Sequence, residues 1–338
     1  MSGRLTLALA TERWPIAGTF GISRGSKTEA VVVVAELDDG TFRGRGECVP
    51  YSRYDESLDS VRAQIEALVP QLAAGLDRHG LQAAMPAGAA RNALDCAFWD
   101  LEAKRSGRLV HELAGLPFPK AVTTAYTISL DEPAAMAKAA AKAANRALLK
   151  VKLGASQDKV GAAHDDDRRR IAAVRAAAPR CTLIVDANEG WNEDNLATNF
   201  AACLEAGVAL VEQPLPEGND EALGRMARPI PVCADESIHD RSSLAKLAGK
   251  YDAVNIKLDK AGGLTEALAL VAEAQQHNFS IMVGCMVATS LAMAPAVLLA
   301  QLAQFVDLDG PLLLKEDRAD GLRYADSLVY PPEPSLWG

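Results

Sequence analysis

The chain has 338 residues, room for about two domains at roughly 150 residues each, or for one large α/β barrel with an attachment. Hydrophobic residues make up 49% and charged residues 23%, which excludes low-complexity disorder and collagen-like repeats. With 35 Lys+Arg against 44 Asp+Glu the net charge is −9, which argues against a nucleic-acid partner.

In the first third, Leu5–Leu9 and Ala30–Glu36 read as strands. The Asp38-Asp39-Gly40 turn then leads into a further strand reaching Glu47, a hairpin signal. Helical spacing follows over Ser57–Ala73 and Ala87–Ser106; the second carries Ala90, Leu94, Ala97 and Leu101 on one face and ends at Gly107. Strands followed by helices predict a small α+β domain over residues 1–120.

Beyond Lys120 short apolar strands alternate with Ala-rich helices. Eight strand candidates recur at intervals of roughly twenty to thirty residues. They are Val122–Ser129, Leu148–Leu153, Thr182–Asp186, Ala209–Gln213, Val232–Asp235, Ala253–Leu258, Ser280–Cys285 and Phe305–Asp309. Eight βα units over 121–310 point to a TIM-type barrel, although periodicity alone also suits a doubly wound sheet. Ser280–Val306 carries no charge, but Gly284, Thr289, Ser290, Pro295 and two glutamines make it a buried strand and helix rather than a membrane span. Residues 311–338 are too irregular for another unit and are expected to return to the first domain.

The six cysteines (Cys48, Cys96, Cys181, Cys203, Cys233, Cys285) show no CxxC and no paired histidine spacing, which disfavours a zinc site or a disulfide framework. The N-terminus reaches Glu12 before a signal-length apolar stretch can form, so a cytoplasmic location is expected.

The chemistry sits on the strands. Residues two apart share a face of a strand, so Lys150 and Lys152 point one way and Leu149, Val151 and Leu153 the other. Asp186, Glu212, Asp235, Lys257 and the pair Asp307/Asp309 likewise close their strands. One charged residue at a strand end is usually a solvated terminus or a helix cap. Six strands that repeat the pattern converge, in a closed barrel, on the C-terminal mouth where such barrels build their sites. Asp186, Glu212 and Asp235 form an all-oxygen set suited to a hard cation such as Mg²⁺. Lys150 and Lys152 lie on one side of that triad and Lys257 on the other. Asp307 and Asp309 supply negative charge away from it, suited to a positively charged substrate group. Lys260 rivals Lys257, but strand parity sets it with Ile256 and Leu258, in the loop of Gly262-Gly263, and favours Lys257.

These runs, Lys150-Val-Lys152, Asp186-Ala-Asn188, Val211-Glu212-Gln213-Pro214, Ala234-Asp235-Glu236-Ser237 and Asn255-Ile-Lys257-Leu-Asp-Lys260, resemble the muconate-lactonising group of the enolase superfamily over essentially the whole chain. The resemblance implies a modified TIM barrel, (β/α)₇β, with an N-terminal α+β capping domain. It also implies one Mg²⁺ per subunit on Asp186, Glu212 and Asp235, and a two-lysine transfer of the Cα proton through an ene-diolate. Lys152 would serve the (R) centre and Lys257 the (S), with Lys150 on the substrate carboxylate.

Asp307-Leu-Asp309-Gly310 resembles the dipeptide epimerases, where both aspartates bind the substrate α-ammonium. The loop Gly21-Ile-Ser-Arg24-Gly-Ser-Lys27, within a specificity segment near 19–27, resembles that of L-Ala-D/L-Glu epimerases, and implies Arg24 on the glutamate side chain. Thr127, Cys285 and Met286 match further pocket positions. The implied partner is a small dipeptide, with no nucleic acid or membrane and with a homo-oligomer open; the implied role is recycling of cell-wall peptides. Open alternatives are a different second residue, N-succinylamino acid racemisation, o-succinylbenzoate synthesis and muconate cycloisomerisation. More remote are a Schiff-base aldolase and a non-catalytic barrel.

Overall fold

Strand β1 (Thr6–Ile22) pairs antiparallel with β2 (Gly25–Asp38), and β2 with β3 (Arg43–Cys48), in a computed structural model that describes residues 5–154 and 166–338. The β2–β3 connection is the hairpin expected at Asp38–Gly40. β1 extends well beyond Leu9, through a register shift between Pro15 and Phe20. Pro15 and Gly18 are strand breakers by composition, which hides this continuation from the sequence pattern.

The Ala89–Ser106 helix packs on β3 and stops at Gly107 in the left-handed conformation. Gly44 and Gly46 let it approach: a Cβ on either would meet the Ala97 or Ala93 carbonyl oxygen far inside contact distance. The Ser57–Ala73 expectation divides into Leu58–Glu66 and Val69–Ala73, with Pro70 opening the second piece. A further helix, Arg78–Ala84, is capped by Asp77.

The Val122–Ser129 candidate is two strands. β4 (Val122–Thr123) turns aside, and β5 (Tyr126–Ile128) begins an eight-stranded parallel sheet. It continues in chain order through β6 (Leu148–Lys152), β7 (Thr182–Asp186), β8 (Val208–Glu212), β9 (Val232–Ala234), β10 (Ala253–Ile256), β11 (Ser280–Gly284) and β12 (Phe305–Asp307). The first and last strands meet where Ala125 N donates to Val306 O at 2.8 Å, so the sheet closes. β13 (Tyr324–Ala325) and β14 (Leu328–Val329) form a hairpin that pairs with β4. The chain end then lies on the Ala89–Ser106 helix, with Trp337 Nε1 donating to Cys96 O at 3.0 Å.

Alternation along the strands sorts the side chains. Leu148, Ile184, Leu210, Cys233, Ala253 and Met282 make an apolar floor inside the barrel. Their neighbours Leu149, Leu183, Val185, Val211, Val254 and Ile281 pack outward into the main core. Two residues above the floor, the same parity carries Lys150, Asp186, Glu212 and Asp235 inward. Ser280–Gly284 is a strand and Ser290–Leu299 a buried helix; among the described residues no helix is long and apolar enough to cross a membrane. All six cysteines are free.

Candidate active site

The floor residues set the height of the charged layer above them. One carboxylate oxygen from each of Asp186, Glu212 and Asp235 lies within 4.8 Å of the others, and all three side chains are fully buried. Lys150 Nζ reaches Glu212 Oε2 at 2.7 Å, Asp307 Oδ2 at 2.8 Å and Asp186 Oδ2 at 3.2 Å. Lys152 Nζ donates to Asp186 Oδ2 at 2.6 Å, Lys257 Nζ to Asp235 Oδ2 at 2.7 Å, and Asn255 Nδ2 to Glu212 Oε1 at 2.7 Å. Four strand steps separate β6 from β10, half of the ring. The two lysines therefore flank the carboxylates from opposite sides.

The electrostatics follow from burial working against pairing. Burial pushes the Asp186 carboxyl up, but Lys152 and Lys150 outweigh it and hold the group down at about 2. Asp235 is lowered further, because Lys257 and Lys260 overcome the same desolvation. Glu212 is the exception: burial and the adjacent Asp186 push it up to about 7. Burial lowers Lys150 and Lys257, yet the carboxylates win and hold both well above the usual lysine range. Three buried carboxylates that offer only oxygen match what a hard divalent cation requires.

Lys260 differs from its sequence placement. It lies on a short helix, Leu258–Ala261, before the glycine pair, and its Nζ returns to Asp235 Oδ1, Asp235 O and Asn255 O. It is buried behind Asp235 and does not line the cavity, whereas Lys257 does. β10 ends at Ile256, so strand parity no longer governs either lysine.

The cavity above the triad holds about 880 Å³. Thr127, Lys150, Lys152, Asp235, Lys257, Cys285, Met286, Asp307, Asp309 and Arg24 all line it, while Asp186 and Glu212 lie behind that wall. Asp309 Oδ2 accepts from Thr127 N at 2.6 Å, and burial together with Asp307 pushes the Asp309 carboxyl up to about 7. Arg24 arrives from the β1–β2 turn. Its Nη1 donates to Asn188 O and Glu189, and its Nη2 to Glu236 at 2.6 Å and to the Tyr51 hydroxyl at 3.3 Å.

Several residues at the mouth carry no role in the sequence reading. Glu236 is buried and bonded to Arg24; its strand ends at Ala234, so alternation does not place it. Arg53 joins Glu189 and Glu217, tying the β3 side of the molecule to the turns after β7 and β8. Asn188, Glu189 and Gln213 in those turns have positive φ (43°, 66° and 33°), a strained conformation for residues with side chains. Gln213 is held in it by bonds from Nε2 to Leu215 O, Ser237 and Tyr251, each 2.9 Å long.

Residues 134–334 match the family described as enolase C-terminal domain-like, and residues 4–115 match the mandelate racemase/muconate lactonizing enzyme N-terminal domain. The chain belongs to the enolase superfamily. It is 48% identical over 321 residues to the L-Ala-D/L-Glu epimerase of Escherichia coli (strain K12), covering 94% of this chain and 97% of that one. It is 46% identical over 309 residues to the N-acetyl-D-glutamate racemase of Pseudoalteromonas sp, covering 91% and 95%. A crystal structure of an Agrobacterium tumefaciens enolase family member with homology to dipeptide epimerases, bound to sodium and L-Ala-L-Glu with an ordered loop, superposes with a TM-score of 0.94. That protein is 54% identical, over 99% of this chain and all of the other.

Proposed function

We propose that this protein is an isomerase, a Mg²⁺-dependent dipeptide epimerase that interconverts L-Ala-D-Glu and L-Ala-L-Glu. The observation that carries the reading is the pair of lysines, Lys152 and Lys257, on opposite sides of one oxygen-only triad in one cavity.

The glutamate Cα–H is a very weak acid, because its loss adds negative charge beside an existing carboxylate. Asp186, Glu212 and Asp235 would hold Mg²⁺, which would supply positive charge against that build-up. Lys150, already at the centre of the carboxylates, binds the substrate carboxylate from the floor side. Lys152 takes the proton from the (R) centre and Lys257 from the (S); whichever lysine remains protonated delivers its proton to the other face, and the centre inverts. Asp307 and Asp309 receive the alanine α-ammonium at the β12 end of the cavity, against Thr127. Cys285 and Met286 form the wall between, and Arg24 lies toward the glutamate side chain. The role proposed with this activity, recycling of cell-wall peptides in the cytoplasm, follows from the family resemblance.

A second reading is racemisation of N-acylglutamate. The Pseudoalteromonas relative supports it, because L-Ala-Glu is itself an N-acylated glutamate and differs from the acetyl compound mainly in its ammonium. The aspartate pair favours the dipeptide. The test is incubation with Mg²⁺ in D₂O, following the Cα proton by NMR, with L-Ala-L-Glu and N-acetyl-L-glutamate in parallel and EDTA controls. Metal-dependent exchange with appearance of L-Ala-D-Glu supports the dipeptide reading. Exchange confined to the acetyl compound overturns it.

A further inference from the structure

Alternation sets one more side chain beside the triad. Ala253 belongs to the apolar floor, and Asn255, two residues on along β10, shares its parity and turns inward, fully buried. Its Nδ2 donates to Glu212 Oε1 at 2.7 Å, across the intervening strand β9. Lys150 Nζ holds the other oxygen, Oε2, at 2.7 Å. The plane of the Glu212 carboxylate is therefore fixed from both ends. Among the described residues Asn255 is the side-chain donor to the triad that carries no charge: Asp186 meets Lys150 and Lys152, and Asp235 meets Lys257 and Lys260. A neutral donor orients an oxygen without cancelling the charge that a divalent cation requires.

The orientation of the amide has one solution. Turned over, it would set Oδ1 against Glu212 Oε1, two acceptors with no proton between them. With Nδ2 on Glu212, Oδ1 is buried and has no hydrogen-bond partner. An unpaired buried acceptor destabilises a fold, so packing alone would favour an apolar residue of this size. The neighbouring strand makes the room. Gly284, on β11, has no left-handed backbone that would call for glycine, yet a Cβ on it would stand 2.5 Å from Asn255 Oδ1 and 2.8 Å from Nδ2. Its bare Cα leaves the space that the amide fills. Lys260 holds the main chain at the same point, with Nζ donating to Asn255 O at 3.2 Å.

We infer that Asn255 is a positioning residue, which acts through Glu212 to set the affinity of the triad for its cation, and that Gly284 gives it room. The inference rests on the triad as the metal site of the reading above. A hydrogen bond to a ligating carboxylate fixes its direction before the metal arrives, and losing one typically costs about 10–100-fold in metal affinity.

The test titrates Mg²⁺ into wild type, Asn255→Leu and Gly284→Ala. The rise in melting temperature gives Kd, and the melting temperature in EDTA gives the metal-free stability. Leucine is close to asparagine in size and has no donor; alanine at 284 keeps the donor but drives the amide off Glu212. In both variants Kd for Mg²⁺ is expected to rise by about 10–100-fold. In EDTA, Asn255→Leu should melt no lower than wild type, because the unpaired oxygen leaves together with the donor. A merely structural asparagine gives the reverse, a lower melting temperature in EDTA with Kd unchanged, and that result overturns the assignment. A rise in Kd that comes with a lower melting temperature in EDTA for Asn255→Leu reports a loosened barrel and overturns it too. Should Asn255→Leu fail to fold, Gly284→Ala decides, and a Kd equal to that of wild type is then the contrary result. A wild type whose melting temperature ignores Mg²⁺ removes the metal-site reading instead.

Discussion

Lys152 Nζ donates to Asp186 Oδ2 at 2.6 Å, so a proposed base is bonded directly to a proposed metal ligand. Lys257 and Asp235 repeat the relationship at 2.7 Å across the ring. The two outer carboxylates of the triad thus each pair with one lysine. A divalent cation held by the triad would draw on the same oxygens and would add positive charge beside Lys257, opposing the hold that Asp235 has on its proton. Metal and base are coupled through two shared carboxylates.

Metal binding is therefore expected to register in stability as well as activity. At a Mg²⁺ concentration about 100 times its Kd, linkage stabilises the folded state by about 2.7 kcal/mol. Thermal unfolding of wild type should shift upward with Mg²⁺ and return with EDTA. Glu212→Gln, which keeps Oε1 for Asn255 but removes the central charge, should lose most of that shift together with the activity. An equal Mg²⁺ shift in wild type and variant contradicts this assignment.

The aspartate pair makes a separate claim about the ammonium. Asp309→Asn retains an oxygen for Thr127 N but removes a charge from the β12 end of the cavity. KM for L-Ala-L-Glu is expected to rise by about tenfold, the scale of one charge-assisted contact. N-acetyl-L-glutamate, which has no ammonium, should be affected far less. Parallel steady-state kinetics on the two compounds check this.

Stability should also carry the signature of a buried acid away from the site. Asp259 accepts from Val49 N and Asn92 Nδ2 at the junction of the two domains, and burial pushes its carboxyl up to about 7. The folded state therefore binds a proton that the unfolded chain releases near pH 4. Its contribution is fully present below about pH 4 and is lost as pH rises to about 7, on the order of 4 kcal/mol at most. Asp259→Asn keeps an acceptor for both donors. Differential scanning calorimetry should find it equal to wild type at pH 4 and several degrees more stable at pH 8; a variant less stable at pH 8 contradicts the direction.

Packing of the N-terminal helix on β3 depends on two bare Cα atoms. Gly46→Ala places a methyl group against the Ala93 carbonyl, where both neighbours are backbone and cannot turn aside. The expected loss is about 1–3 kcal/mol or more, readable as a lower denaturation midpoint. Gly224→Ala serves as the comparison, a glycine whose added Cβ would meet only ordinary contacts at 3.6 and 3.7 Å.

How far the sequence reaches can be argued from particular residues. The eight parallel strands are legible because their apolar runs are short, regular and closed by charge. The triad is legible because Asp186 and Glu212 each end a strand, and Asp235 follows one, at the same height. Where the strands stop, the reasoning stops. Glu236, Lys260 and Asn188 lie just past strand ends, in turns and a short helix whose geometry depends on long-range bonds that involve Arg24, Gln213 and Asp235. The extension of β1 across Pro15 and Gly18 is set by pairing with β2, which no local pattern encodes. The ion-pair partners of Arg24 are Glu189 and Glu236, residues more than 160 positions away.

The central claim is that two lysines work on opposite faces of one carbon, and isotope exchange in the single variants tests it most directly. Lys152→Ala and Lys257→Ala are each incubated in D₂O with Mg²⁺ and with each epimer, L-Ala-L-Glu and L-Ala-D-Glu, and the glutamate Cα–H is followed by NMR. Neither variant should epimerise. Lys152→Ala should exchange only the L-Glu epimer, through Lys257, and Lys257→Ala only the D-Glu epimer, through Lys152. Epimerisation by either variant at the wild-type rate, or exchange of both epimers by one variant, would show that a single base or a different pair performs the reaction.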